Sequence, residues 1–172
     1  MKKLLVVVDV QNDFVDGSLG TREAEGIIDN VVELIGDEQF DEVVYTKDTH
    51  FENYLETQEG HNLPVVHCVK GSAGWNLNPK VAEAALKRDK KPKIIEKYTF
   101  GSTRLARMAK NYDDITLVGL CTDICVISNA LAIKAFSPEI PLHVVEKACA
   151  GVTPAKHQAA IETMRSCQVE II

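Results

Sequence analysis

The sequence lacks any long apolar run. Its first hydrophobic stretch, residues 4–8, is too short for a membrane span or for the apolar centre of a secretory signal. Repeats, low-complexity tracts and linker-like segments are also absent, so no internal boundary is indicated. We therefore expect one domain over residues 1–172, located in the cytoplasm and without a membrane partner.

Positive charge is also scarce. The chain has 19 basic and 25 acidic residues, a net charge of −6, and the acids are scattered. This balance argues against a nucleic-acid partner. Cysteine is limited to five residues, an odd number without an export signal, which indicates free thiols in a reducing compartment. Hydrophobic residues make up 45% of the 172 positions, which is typical of a globular protein with a sizeable core.

Short β-branched runs alternate with longer amphipathic or apolar segments along the chain. Strands are predicted at residues 4–8, 42–46, 93–96, 114–118, 142–145 and 169–172. Helices are predicted at residues 22–35, 79–86, 124–136 and 154–166, with a short one ending near residue 109. This alternation predicts an α/β fold: a doubly wound (Rossmann-like) parallel six-stranded sheet with helices on both faces.

Chemically active residues follow several of these strands directly. Asp9, the pair Asp48 and His50, Lys97, and the segment 121–125 each come at the carboxyl end of a predicted strand. In doubly wound sheets the functional site lies outside the carboxyl ends of the strands. Residues that are far apart in sequence are therefore expected to meet at one edge of the sheet.

Cys125 is the candidate nucleophile at this edge. It follows a buried strand and a tight turn, and it is expected in the first turn of the helix at 124–136. Nearby backbone N–H groups and the positive end of a helix dipole favour the thiolate, and such N–H groups can also hold an oxyanion. The alternative is that Cys125 is a small buried apolar residue, which is common for an intracellular cysteine.

A nucleophilic thiol needs a base, and no histidine is well placed for a Cys–His pair. Asp9 can serve instead, because a partly desolvated carboxylate has a raised pKa and can accept and return a proton. Lys97 can keep the thiolate and the carboxylate charged and oriented. Taken singly, Asp9 could end a strand as a turn residue and Lys97 could be a solvated surface cation. Their common place at one sheet edge favours a catalytic triad of Asp9, Lys97 and Cys125.

Five segments in order resemble the isochorismatase-like cysteine hydrolases, and nicotinamidases in particular. They are residues 8–14 (VDVQNDF), 48–50 (DTH), 67–71 (HCVKG), 97–100 (KYTF) and 119–126 (GLCTDICV). The resemblance implies a hydrolase with an Asp9–Lys97–Cys125 triad and an oxyanion hole formed by the backbone N–H groups of Cys121 and Cys125. It further implies a cis peptide before Cys121 and a place for Phe14 in the wall of the substrate pocket.

The resemblance also implies one divalent metal ion, with Zn²⁺ favoured and no organic cofactor. Asp48, His50 and His67 match its ligands, and carboxylate plus imidazole donors suit such an ion. The fourth ligand stays open: the usual family histidine would fall at Glu56, Glu59 is the nearest match to a family variant, and His61 or a water can also take the place. Without a metal, Asp48 would cap a loop and His67 would be a core histidine.

The implied reaction is hydrolysis of a C–N bond of a small amide through a thioester, with nicotinamide as the leading substrate. Alternatives are an isochorismatase or an N-carbamoyl or ureido amidohydrolase of the same superfamily, or a non-catalytic thiol switch built on Cys121 and Cys125. Isochorismatases typically lack the cysteine, so Cys125 favours an amide. The nearly all-apolar helix after Cys125 predicts a homo-oligomer, a dimer or tetramer as in the family.

Overall fold

All six predicted strands form, and they lie side by side in one parallel sheet. The computed structural model describes residues 1–172. The strands are β1 Lys3–Val8, β2 Glu42–Asp48, β3 Lys93–Lys97, β4 Asp114–Leu120, β5 Leu142–Ala150 and β6 Glu170–Ile171. Most of them run farther toward their carboxyl ends than the sequence indicates, because polar residues such as Asp48 and Lys97 still pair within the sheet.

The order of strands across the sheet is β3-β2-β1-β4-β5-β6. The first strand, β1, is therefore central. Strands β2 and β3 extend the sheet on one side of β1, and β4, β5 and β6 extend it on the other side. The five apolar residues 4–8 have no exposed surface, as expected for a central strand covered on both faces. The direction of winding reverses between β1 and β4, and such a reversal opens a cleft at the carboxyl ends of those strands.

Helices cover both faces of this sheet, which confirms the doubly wound α/β fold. The helices are α1 Asn12–Val15, α2 Arg22–Gly26, α3 Ile28–Gly36, α4 Gln58–Asn62, α5 Pro79–Arg88, α6 Thr103–Ala109, α7 Ile127–Phe136 and α8 Pro154–Ser166. Helices α2, α3 and α5 pack on the face that contains Leu5 and Val7. Helices α6, α7 and α8 pack on the opposite face with Leu4 and Val6. None of the helices is both long enough and apolar enough to traverse a bilayer.

Two predicted helices differ from the structure. The segment 22–35 is two helices rather than one, because the first ends at Gly26, a poor helix former, and the second begins at Ile28 after the capping residue Ile27. The segment 124–136 does not start as an α-helix. Residues Thr122–Val126 form a π-helical turn, and the α-helix begins only at Ile127. Cys125 therefore lies in a wide turn ahead of α7.

The backbone at the end of the two central strands is unusual. Gly119 of β4 has φ +118°, and a Cβ atom there would lie 2.2 Å from the carbonyl oxygen of Val8 on β1. Asp9, which follows β1, has φ +48°, a left-handed conformation that non-glycine residues seldom adopt. Glycine at 119 is thus needed for the close pairing of β1 and β4 from which Asp9 emerges.

Candidate active site

Asp9, Lys97 and Cys125 meet at the carboxyl edge of the sheet. The Nζ of Lys97 lies 2.6 Å from Oδ2 of Asp9 and 3.3 Å from Sγ of Cys125. Asp9 is fully buried, and Lys97 and Cys125 are 3% and 4% exposed. No other charged group lies within hydrogen-bond distance of these three buried side chains. The charge on each of them therefore depends strongly on the other two.

Asp9 is held by the neighbouring strand. Its Oδ1 accepts a hydrogen bond of 2.6 Å from Oγ1 of Thr46, and its backbone N–H donates to the Thr46 carbonyl at 3.2 Å. Burial raises the pKa of Asp9 above its ordinary value, although the positive charge of Lys97 opposes this. A carboxylate with a raised pKa is a better acceptor for a proton than an exposed one.

The surroundings of Cys125 oppose ionisation of its thiol. Burial raises the pKa of Cys125 well above its ordinary value, the charge of Asp9 adds to the effect, and Lys97 only partly opposes it. The sequence analysis expected Cys125 in the first turn of an α-helix, whose N-terminus would favour the thiolate. In the structure the α-helix begins only at Ile127 and the sulfur is enclosed, so a nearby base is the group expected to assist ionisation.

The π-helical turn sets the backbone around Cys125. The N–H of Val126 donates to the carbonyl of Cys121, five residues earlier, at 3.1 Å. The N–H of Cys121 donates to no protein acceptor, so it remains available to a bound molecule. The peptide bond between Leu120 and Cys121 is cis, as the family resemblance implied.

Two polar contacts that the sequence analysis missed hold this turn in place. The side-chain amide of Asn129 donates to the carbonyl of Cys125 at 2.8 Å and accepts from the N–H of Ser102 at 2.9 Å. Oγ1 of Thr122 lies 2.8 Å from Nδ1 of His157, whose Nε2 lies 3.7 Å from Glu146. Asn129 is one of few polar residues in an apolar segment, and this feature of the sequence could have indicated that its side chain has a specific role.

A second cluster lies beside the first. Asp48, His50, Glu59 and His67 each offer one ligand atom, and these atoms all lie within 4.8 Å of one another. Nε2 of His50 is 3.0 Å from Oδ2 of Asp48 and 3.6 Å from Oε1 of Glu59. Nε2 of His67 is 3.5 Å from Oδ2 of Asp48 and 3.6 Å from the same Glu59 oxygen.

These donors fit a divalent ion. Nδ1 of His67 lies 2.8 Å from the carbonyl of Val65, which can only accept, so Nδ1 carries the proton and Nε2 directs its lone pair at the cluster. Burial opposes ionisation of Asp48, but its contacts with the two imidazoles and the charge of Lys97 bring its pKa below the ordinary value. Two imidazoles and two carboxylates are a donor set for Zn²⁺, Fe²⁺ or Mn²⁺. Of the alternatives for the fourth ligand, Glu59 is in the cluster, whereas Glu56 and His61 are outside it.

Gln11 supports this cluster and was also missed from the sequence. Its Oε1 accepts from the N–H of Asp48 at 2.7 Å, and its Nε2 donates to the carbonyls of Asp48 and Trp75, each at 2.9 Å. Gln11 has no exposed surface. Both polar atoms of its amide are therefore used in contacts with backbone groups, two of which belong to Asp48, a candidate metal ligand.

A cavity of about 670 Å³ opens onto both clusters. Cys121, Cys125, Asp48, Glu59 and His67 lie in its wall, and most of the remaining wall is apolar. Phe14 is part of that wall, with its ring 5.5 Å from the ring of His67. A few converging polar groups in an apolar cavity are typical of a small-molecule site.

Comparisons with known proteins agree with this geometry. The family model described as the isochorismatase domain matches residues 3–172. A nicotinamidase/pyrazinamidase from Mycobacterium tuberculosis is 27% identical over 192 aligned positions, covering 99% of this chain and 98% of the relative.

Solved structures give the same result. The nicotinamidase/pyrazinamidase of Bacillus subtilis superposes with a TM-score of 0.84 at 26% identity, covering 99% of both chains. A pyrazinamidase of Pyrococcus horikoshii in complex with zinc superposes with a TM-score of 0.81 at 26% identity, covering 100% of this chain and 99% of that one.

Proposed function

This chain belongs to the isochorismatase family, and from that premise we propose that it is a cysteine hydrolase that converts nicotinamide to nicotinate and ammonia. The observation that carries the proposal is the contact of Lys97 with both Asp9 and Cys125, beside a cavity whose wall contains Cys125, Asp48, Glu59 and His67. The names of the similar proteins from Mycobacterium tuberculosis and Bacillus subtilis support the substrate.

The first half-reaction transfers the acyl group to the enzyme. Asp9 takes the proton from the Cys125 thiol as the sulfur attacks the amide carbonyl carbon, forming the C–S bond. The backbone N–H groups of Cys121 and Cys125 hold the oxyanion that develops on the carbonyl oxygen. Asp9 then returns the proton to the amine, the C–N bond breaks, and ammonia leaves a thioester on Cys125.

The second half-reaction releases the acid. Asp9 takes a proton from a water molecule, whose oxygen attacks the thioester carbonyl carbon. The C–S bond breaks, the sulfur regains a proton from Asp9, and the carboxylic acid is released. Lys97 remains a cation throughout, because the charges of Asp9, Cys125 and Asp48 raise its pKa despite burial. Its role is to keep Asp9 and the sulfur in contact while negative charge moves between them.

The metal-ligand set would hold the ring end of the substrate. Asp48, His50, Glu59 and His67 are the ligands we propose, with Zn²⁺ as the favoured ion. When bound, the ion supplies a Lewis acid that a pyridine nitrogen can approach. Phe14 would contact the ring from the cavity wall. Each of these contacts involves the ring rather than the scissile bond, so they favour an aromatic amide over an aliphatic one.

A homo-oligomer remains part of the proposal. In α7 the side chains of Ala130 and Ile133 are buried, but Phe136 is 49% exposed. Light scattering coupled to gel filtration tests this, and a monomeric mass at the concentration used for activity would contradict it.

The experiment that tests the function is an ammonia-release screen on the purified protein. Nicotinamide, an aliphatic amide such as propionamide, and an N-carbamoyl amino acid are compared at equal concentrations. We expect the highest kcat/KM with nicotinamide and a mass increase of one nicotinoyl group on Cys125 in acid-quenched samples. A higher kcat/KM with the carbamoyl compound would change the proposed substrate but not the proposed role of Cys125 as the nucleophile. Absence of ammonia release from all three would refute the amidase.

A further inference from the structure

A second cavity lies beside β3, and of the three residues of the candidate triad only Lys97 is in its wall. Its volume is about 660 Å³. It shares only Tyr98 and Thr99 with the catalytic cavity, and its other walls come from β2, β3, the start of α6 and Trp75. The proposed reaction places no part of the amide substrate in it.

Lys47 is the unusual residue in this cavity. It lies on β2 immediately before Asp48, so its side chain points to the opposite face of the sheet. The residue is only 6% exposed, yet its ammonium forms neither an ion pair nor a side-chain hydrogen bond. Its Nζ lies 3.0 Å from the centroid of the Trp75 ring. A nearly buried cation is normally paired with an anion, and the face of an indole replaces only part of its lost hydration.

The nearby carboxylate does not fill this role. Glu96 also lines the cavity, but its Oε2 is held by Lys70 at 2.7 Å. The cavity has a second cation in Arg104, which forms no ion pair. The cavity therefore contains two cations without acidic partners.

The remaining walls indicate what kind of anion would fit. Trp75 and Tyr98 contribute aromatic rings, and Ser102 and Thr103 also line the cavity. A bare inorganic anion would leave most of this volume and both rings uncovered, whereas a planar ring with one carboxylate can use both kinds of wall.

We propose that this cavity is a second binding site, for a small aromatic carboxylate. Lys47 and Arg104 bind the carboxylate, and the rings of Trp75 and Tyr98 contact the aromatic body. The site is connected to the catalytic centre through Trp75, whose Nε1 donates to Oγ1 of Thr49 at 3.0 Å and whose carbonyl accepts from Gln11.

The test uses the fluorescence of Trp75, the only tryptophan in the chain. Benzoate is titrated into the protein, with benzyl alcohol as the neutral aromatic control and acetate as the non-aromatic anion. Each titration is repeated after alkylation of Cys125, checked by mass, which blocks the catalytic cavity. We expect saturable binding of benzoate that persists after alkylation, and much weaker binding of both controls.

Variants identify the residues. Lys47→Met and Arg104→Gln should each weaken benzoate binding at least about tenfold, because each removes one of the two cations that we propose bind the carboxylate. Lys47→Arg should retain saturable binding, and Lys80→Gln, which changes a lysine paired with Asp29 elsewhere on the surface, should bind as the parent does. Arg104 is exposed, so its variant remains informative if Lys47→Met fails to fold.

Two outcomes would overturn the proposal. The first is loss of benzoate binding on alkylation of Cys125, which would assign the signal to the catalytic cavity. The second is unchanged binding in Lys47→Arg, Lys47→Met and Arg104→Gln alike. Neither outcome changes what is expected for ammonia release, so this experiment and the test of the proposed amidase function are independent.

Discussion

Asp48 and Lys97 connect the two clusters of the active site. Oδ1 of Asp48 lies 3.6 Å from Nζ of Lys97, while Oδ2 of the same carboxylate lies 3.0 Å from Nε2 of His50. Asp48 and Lys97 pair directly in register on neighbouring strands β2 and β3. The backbone pairing therefore fixes the distance between the groups that we propose attack the amide and the groups that we propose hold its ring.

Cys125→Ala should abolish amide hydrolysis without unfolding the protein. A covalent nucleophile is expected to account for at least ~10³-fold in kcat. Ammonia release is the measurement, with circular dichroism as the folding check and Cys167→Ala, which removes an exposed thiol, as the control. Turnover of the Cys125 variant within about tenfold of the parent would contradict the thioester mechanism.

Asp9→Asn and Lys97→Met should each lower kcat by ~10²-fold or more, and the two losses should not multiply in the double variant. The reason is that both residues act on the same proton transfer. Lys97→Met also leaves Asp9 buried without its countercharge, which costs about 3–5 kcal/mol in the free energy of unfolding. Activities are therefore compared below the thermal midpoint of each variant. A loss of kcat in the double variant equal to the product of the two single losses would show that the residues act independently.

Purified protein should contain one divalent ion, Zn²⁺ being the favoured species, in a site that depends on Asp48, His50 and His67. Elemental analysis measures the content, with Glu59→Gln expected to reduce it and His61→Asn, which lies outside the cluster, expected to leave it unchanged. The ligand atoms converge only in the folded chain, so binding should also raise the unfolding midpoint.

Removal of the ion by chelation should raise the KM for nicotinamide far more than the KM for an aliphatic amide. The ring nitrogen loses its contact, whereas the thiol that attacks the carbonyl does not depend on the ion. Re-addition of Zn²⁺ should restore the parent KM. Metal-free protein with an unchanged KM for nicotinamide would move the assignment toward a carbamoyl or ureido substrate.

Thr122→Val should lower kcat by about tenfold and leave KM for nicotinamide nearly unchanged. Oγ1 of Thr122 is held by His157 in the turn that carries the proposed oxyanion N–H groups, so its loss moves those groups but not the ring contacts. Thr163→Val, on the exposed side of α8, is the matched control. A rise in KM with unchanged kcat would place Thr122 in ground-state binding instead.

Gly119→Ala should destabilise the fold by at least ~3 kcal/mol, because alanine at φ +118° is strained and its Cβ would meet the Val8 carbonyl at 2.2 Å. Gly36→Ala is the control, since a Cβ there meets nothing within 4 Å and the position ends a helix. Urea unfolding of both variants measures the difference. A Gly119 variant as stable as the parent would show that β1 and β4 can separate without cost.

Much of the candidate site could be predicted because strand ends are visible in sequence. The apolar run 4–8 stops at Asp9, and a parallel sheet places such stops on one edge, so the meeting of Asp9, Lys97 and residues 121–125 follows from topology. The residues that orient this site could not be found the same way. Thr46 and Gln11 look like ordinary strand and turn residues until the register of β1 against β2 brings them to Asp9 and Asp48.

The amino-acid sequence by itself determined the alternation of strands and helices, the sheet edge at which chemistry gathers, and the family to which the chain is similar. Those properties depend on local periodicity and on the order of segments, both of which are written along the chain. The tertiary structure alone decided the rest: the enclosure of the Cys125 sulfur, the place of Glu59 rather than Glu56 or His61 beside Asp48, His50 and His67, and the lack of an ion pair at Lys47. Each of these depends on which atoms surround a side chain and how much water they exclude, and only the packed fold sets those quantities.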